Sequence, residues 1–268
     1  MILNYGFYFL LFLLVNSYKF APINKYVYTI DINDYGINVI ERSKINKKES
    51  KCLLFLTGGS GAIPPQIYSH FMDNLASVGL PVYTPHSSYK NKDLLVKQLS
   101  NEFKEVIIVG HSSGGTTAIN YAKNPKIKKL ILIDPVDTRI FSKEYRNKLH
   151  ELENLDSVLF LRAEKSYKIS FTPLGFPFIP ILGVNKEILR LKNSCKVYEI
   201  EAINFGHSDI LDLHYSNLMH KSRITVGTSN RTFDRINDYH NWVTDIFYHY
   251  SKGNLKKNKI SKNRINWK

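Results

Sequence analysis

Val106-Ile-Ile-Val-Gly-His-Ser-Ser-Gly-Gly-Thr-Thr-Ala-Ile-Asn-Tyr-Ala122 is the stretch on which the fold turns. Its first four residues are apolar without alternation, as in a strand covered on both faces. Thr116 to Ala122 read as a helix of small residues. Between them, Gly110-His-Ser-Ser-Gly-Gly115 matches G-x-S-x-G. In such a strand–turn–helix the chain reverses so tightly that the flanking positions must be glycine, and the serine hydroxyl stands clear above the sheet. A phosphate-cradling loop is the other glycine-rich turn found there. It needs a Lys after the glycines or a G-x-G-x-x-G spacing, and neither is present. Ser112 is thus the candidate nucleophile.

Outward from this turn the chain alternates strand-like and helix-like segments. Leu53 to Thr57, Leu80 to Thr84, Val106 to Val109, Leu130 to Ile133, Val158 to Leu161 and Val197 to Ile200 read as strands. Gln66 to Val78, Leu94 to Phe103, Thr116 to Ala122, Ile188 to Leu191 and Phe233 to Tyr250 read as helices. Such alternation predicts a mostly parallel sheet with helices on both faces and right-handed crossovers. Tyr26 to Ile32 and Ile37 to Arg42, joined at Asn33-Asp-Tyr-Gly36, add an antiparallel hairpin at one edge. The expectation is an α/β domain of about eight strands. Only about 20 residues separate Pro135 from Ser157, too few for a large cap domain.

A nucleophilic serine needs a base, an acid to orient it, and donors for the oxyanion. Of nine histidines, His207 lies in a loop just past the last parallel strand, where the order Ser, acid, His requires the base. His111 reads as a support of the turn. His70, His86, His150, His214, His220, His240 and His249 fall on helices or connections. Three carboxylates compete for the acid. Asp134 directly follows the strand beside the serine strand, Glu164 follows the next strand, and Asp137 lies three residues past Asp134. Asp134 is best placed to meet the imidazole. Asp209 and Asp212 read as braces of the histidine loop. Thr57-Gly-Gly-Ser-Gly61 follows the third strand, so Gly58 and Gly59, together with the N–H of Ser113, are the candidate oxyanion hole.

These residues resemble the α/β-hydrolase superfamily and, within it, chlorophyllase. The resemblance rests on Gly110-His-Ser-Ser-Gly-Gly115, Ile133-Asp-Pro-Val-Asp137, Gly183-Val-Asn-Lys-Glu187 and Phe205-Gly-His-Ser-Asp-Ile-Leu-Asp212, and covers roughly residues 50–215. More distantly the chain is similar to platelet-activating-factor acetylhydrolase and polyester-cleaving hydrolases. The resemblance implies Ser112 as nucleophile, Asp134 as acid and His207 as base. It also implies hydrolysis of the phytyl ester of chlorophyll to chlorophyllide and phytol, without metal or cofactor. The chain departs from chlorophyllases in having Ser113 where an Arg is usual and Thr57-Gly58 where His-Gly is typical.

The proline-broken apolar stretch 169–184, with Phe171, Phe176, Phe178 and Ile181, is a candidate lid or acyl groove for a bulky or lipid-like ester. Three readings stay open: a chlorophyllase-like esterase, a lipase or carboxylesterase for other esters, and an inactive hydrolase fold that only binds.

The 268 residues are 43% hydrophobic, which excludes a disordered chain, and carry a formal charge of +14. Residues 252–268 hold seven Lys/Arg and no acid, and read as a solvated, disordered tail. The pattern of Arg interleaved with aromatics expected of a nucleic-acid face is absent; a basic body is compatible with peripheral contact with anionic membranes. Two cysteines, Cys52 and Cys195, exclude a disulfide scaffold or Cys-rich metal cluster. Tyr5 to Val15 is an apolar block too short to span a bilayer and fits a signal peptide over 1–17. Such a leader directs a chain to the secretory pathway; an uncleaved anchor and the first half of a plastid address are the alternatives. The expected division is leader 1–17, hydrolase-like domain 18–251 and tail 252–268.

Overall fold

The computed structural model describes residues 27–31, 39–44, 50–59, 63–85, 92–136, 152, 154–167, 195–222, 225, 227–228, 231–255 and 265–267. The leader, Asp137, His86, His150, the helix expected at 188–191 and the apolar stretch 169–184 lie outside them.

One sheet organises the described residues. Its strands are β1 (Val27–Asp31), β2 (Val39–Lys44), β3 (Lys51–Leu56), β4 (Val82–Pro85), β5 (Glu105–His111), β6 (Lys129–Ile133), β7 (Ser157–Ala163), β8 (Lys196–Ala202) and β9 (Ile265–Trp267). Their spatial order is β1-β2-β4-β3-β5-β6-β7-β8-β9. The six strands β3 to β8 run parallel, while β1, β2 and β9 pair antiparallel at the edges. Each of the eight expected strands is present. The ninth, β9, corrects the expectation of a wholly disordered tail for those three residues. β8 would otherwise end the sheet with unpaired backbone groups, and Ile265–Trp267 meet that edge.

Alternation along the strands divides the core in two. Leu53 and Phe55 of β3, Ile107 and Val109 of β5 and Leu159 and Leu161 of β7 face one side. There they pack against α1 (Ser69–Ser77) and α5 (Phe233–Ser251), through Phe71, Met72, Val243, Ile246 and Phe247. Cys52, Leu54, Ile108 and Leu130 face the other side, against α2 (Lys92–Glu102) and α3 (Gly114–Tyr121). The strands therefore read as continuous apolar runs because both of their faces are covered. No disulfide joins Cys52 and Cys195. The sheet's lower edge is tied to the end of α5: Lys51 and Lys129 both pair with Glu105, and both donate to the Ser251 carbonyl.

The upper, carboxyl ends of β3, β5, β6, β7 and β8 carry Gly58, Ser112, Asp134, Glu164 and His207 respectively. In an open parallel sheet this is the rim where ligands bind.

Candidate active site

Ser112 follows the last residue of β5 and precedes α3. Its φ of 56° lies in the left-handed region that a non-glycine residue enters only under constraint. The constraint is a set of backbone bonds. The Ser112 N–H donates to the Ile133 carbonyl at 3.0 Å, and the Ser112 carbonyl accepts from Gly115 at 3.0 Å and Val136 at 3.1 Å. Gly114 permits the turn: a Cβ there would collide with the carbonyl oxygens of Leu56 and Thr57, the latter at 2.5 Å. Strain at the turn is thus held by β3 on one side and the β6 end on the other.

Asp134, at φ 44°, is fixed in the same way by its N–H, which donates to Leu161 at 2.7 Å. Its buried carboxylate accepts from the Ala163 N–H at 3.2 Å and from the Ser166 hydroxyl. His207 closes the set. Its Nδ1 is 3.0 Å from Asp134 Oδ2 and its Nε2 is 2.9 Å from Ser112 Oγ. A carboxylate can only accept, so Nδ1 carries the proton, and Nε2 is left to accept from the serine hydroxyl. All three side chains are nearly closed off from solvent, with Ser112 and His207 each 9% exposed. The arrangement can transfer a proton from Ser112 to His207 while Asp134 faces the resulting charge.

The rival carboxylates stand elsewhere. Glu164 is exposed and accepts from the Asn204 N–H at 2.6 Å, pinning the turn that leads to His207. Asp137 lies outside the described residues. Gly58 is also corrected: its N–H donates to the Tyr68 hydroxyl at 3.2 Å and so is not aimed at a substrate. A Cβ at Gly58 would sit 3.2 Å from Ser112 Cβ, so its role there is to leave room. Gly59, at φ 61°, and Ser113, the residue after the nucleophile at the start of α3, remain the donor candidates.

The histidine loop is braced from below, as Asp209 was expected to do, but with partners that short-range reading does not find. The Asp209 carboxylate is fully buried. It accepts from the N–H groups of Gly206 (2.8 Å) and Thr228 (2.9 Å) and from the Ser216 hydroxyl (3.0 Å) on α4 (Leu213–Lys221), and pairs with Arg231 at 2.9 Å. Arg231 also donates to the Ser216 carbonyl. Gly227 leaves the space: a Cβ there would overlap the Arg231 guanidinium and lie 2.6 Å from Asp209 Oδ1. Asp212 receives the His70 N–H at 3.0 Å and so ties α1 to the same loop.

His240 on α5 donates from Nε2 to the Asp209 carbonyl at 3.2 Å, which leaves its Nδ1 to accept from His70 Nδ1 at 2.9 Å. Burial, then the neighbouring His70, pushes His240 from the usual 6.5 down to about 3. Burial lowers His70 as well, and burial followed by the nearby His207 ring holds His111 well below 6.5. The unfolded chain takes up protons on these three imidazoles near 6.5, whereas the folded chain takes them up only at lower pH. Stability is therefore full above about pH 6.5 and is lost as pH falls from there toward His240's value near 3. Thermal melts should show Tm decreasing steadily from about pH 6.5 to 5, above the range in which ordinary carboxylates titrate. A Tm that is constant or rises over that interval contradicts neutral His70, His111 and His240 in the folded chain.

No family model matches the chain, and no curated protein sequence matches it. Solved structures do. A hyperthermophilic esterase from the archaeon Pyrobaculum calidifontis superposes with a TM-score of 0.54 at 13% identity, over 92% of this chain and 93% of that one. An esterase from the bacterial hormone-sensitive lipase family gives 0.53 at 11% identity, over 87% and 89%. A mutant of the esterase E40 gives 0.54 at 12% identity, over 87% and 89%. The fold is that of the α/β hydrolases. In this hydrolase fold the serine turn after β5, the acid after β6 and the histidine after β8 share one rim. Among the described residues no group of three or more His, Cys, Asp or Glu could hold a metal ion.

Proposed function

We propose that this α/β hydrolase is a serine ester hydrolase with Ser112 as nucleophile, His207 as general base and Asp134 as the acid that orients it. The observation that carries the reading is the unbroken line Ser112 Oγ–His207 Nε2, 2.9 Å, and His207 Nδ1–Asp134 Oδ2, 3.0 Å, on a strained and buried serine. That the solved structures of the same fold are named esterases supports the reaction class.

Ser112 Oγ attacks the ester carbonyl carbon as its proton passes to His207 Nε2. The oxyanion forms beside the N–H groups of Gly59 and Ser113, and the imidazolium is stabilised by Asp134. Collapse expels the alcohol, which takes the proton from His207 and leaves an acyl-serine. Water, deprotonated by His207, then releases the acid and restores Ser112.

Asp134→Asn distinguishes the carboxylates. It should lower kcat by about 10⁴-fold, because the amide favours the wrong histidine tautomer. Glu164→Gln should stay within a few-fold of the parent. The reverse ranking in steady-state assays assigns the acid to Glu164 instead.

For substrate, the reading is a bulky or lipid-like carboxylic ester of the chlorophyll type. The shared Asp-Pro-Val-Asp and Gly-His-Ser-Asp-Ile-Leu-Asp segments support it, as does the shortness of the connection after Asp134. A carboxylesterase for other lipid or short-chain esters is the second reading, favoured by the names of the structural neighbours. Purified protein incubated with chlorophyll and, in parallel, with p-nitrophenyl esters of graded chain length separates the two. Chlorophyllide formation supports the first, and turnover confined to the nitrophenyl series supports the second. The leader and basic body support passage through the secretory pathway to work at a membrane surface. The mass of the mature N-terminus after expression in a secreting host tests that.

A further inference from the structure

Two buried polar side chains touch the proposed machinery from behind without a step assigned to them. Tyr68 ends the short helical turn Pro65–Tyr68, and His111 ends β5 directly before the nucleophile. Both are closed off from solvent, at 0% and 2% exposure. His111 Nε2 lies 3.1 Å from the backbone carbonyl of His207. A carbonyl only accepts, so Nε2 bears the proton. Burial keeps this ring neutral, and its Nδ1 is consequently a bare lone pair. The 2.8 Å contact between Tyr68 Oη and His111 Nδ1 is then a bond donated by the phenol. The same phenol oxygen accepts from the Gly58 N–H at 3.2 Å. Only one direction of donation satisfies every atom: Gly58 N–H to Tyr68, Tyr68 O–H to His111, His111 Nε2–H to the His207 carbonyl.

This chain joins the two loops that must face each other across Ser112. Neither loop lies in a helix or strand at that point, so regular backbone bonding does not set their separation. The rings are packed as well: His111 lies 4.8 Å from His207 and 5.5 Å from Tyr68 between centroids. We propose that Tyr68 and His111 are positioning residues, a directed hydrogen-bond relay that sets the oxyanion loop and the base loop in register around Ser112. The proposal rests on the reading of Ser112 as nucleophile.

Tyr68→Phe is the informative change, because it keeps the ring that packs on Phe55 at 5.1 Å and removes only the hydroxyl. With the loops released, kcat should fall about 10- to 100-fold while KM changes less than about twofold. The His111→Phe variant should behave alike, and the double variant should be no slower than the slower single, since breaking one relay twice costs nothing more. A Tyr68→Phe enzyme within twofold of the parent kcat, or losses that multiply in the double variant, overturns the relay. Imidazole nitrogen shifts of the unsubstituted protein provide a measurement that does not depend on either variant folding. They should show His111 protonated at Nε2 and bare at Nδ1, and a proton on Nδ1 overturns the relay. Labelling by a fluorophosphonate separates the relay from the nucleophile. An unsubstituted protein that does not react overturns relay and nucleophile together. Equal labelling rates for the unsubstituted protein and Tyr68→Phe overturn the relay alone.

Discussion

Ser112→Ala should lower ester turnover by about 10⁵- to 10⁶-fold while the far-UV spectrum and Tm stay near those of the parent. The size of the loss follows from the role. Without Oγ no acyl-serine can form, and what remains is water attack assisted by the oxyanion donors alone. The small effect on stability follows from the geometry. Ser112 is held by its backbone, through Ile133, Gly115 and Val136, and alanine keeps all three bonds. Alanine does keep the left-handed strain at φ 56°, but it adds none. Kinetics on a chromogenic ester, with thermal melts of both proteins, check this together. An Ala variant retaining a tenth of the parent activity would remove Ser112 from the reaction. A variant that loses activity by unfolding would show it in the melt.

The second large effect is one of stability. Arg231→Met should destabilise the fold by about 3–5 kcal/mol, because it leaves the Asp209 carboxylate fully buried without its counter-charge. For a domain of this size that is a drop in Tm of roughly 6–20 °C. Asp209 cannot turn to water: its oxygens are also held by Gly206, Thr228 and Ser216. Since Gly206 precedes His207 directly, the loosened carboxylate should also blur the base's position, and activity at 25 °C should fall with stability. Gly227→Ala should reproduce much of the loss by pushing the guanidinium away. Denaturant melts of the two variants measure it. A change under about 1 kcal/mol in both would mean that the pair is a surface-like contact, worth no more than exposed ion pairs usually are.

Legibility in the sequence followed the physics of each element. The parallel strands stood out because burial on both faces demands apolar runs such as Leu53 to Leu56 and Leu130 to Ile133. α4 gave no such signal, since Ser216 is its only fully buried residue among those described, and no apolar stripe marks it. β9 is three residues long within a lysine-rich tail, where pairing with β8 outweighs composition. Within the site, Ser112, Asp134 and His207 could be named because each follows a strand end. Choosing among carboxylates needed distances: Asp134 reaches the imidazole, whereas Glu164, also past a strand, turns to Asn204. Tyr68 and Arg231 escaped notice for a different reason. Each meets its partner, 43 residues away for Tyr68 and His111, through the fold, and no spacing rule encodes that contact. The Gly58 N–H, expected to face the substrate, was redirected by one of these unseen partners.

The proposed reaction requires a hydroxyl on the β5 turn that its imidazole partner makes nucleophilic. The most direct measurement is the mass of the protein after reaction with a fluorophosphonate, with the adduct located by peptide mapping. One adduct is expected, on Ser112, absent in Ser112→Ala and formed at least about 100-fold more slowly in His207→Ala. An unmodified protein, or an adduct on another residue that persists in Ser112→Ala, would contradict it.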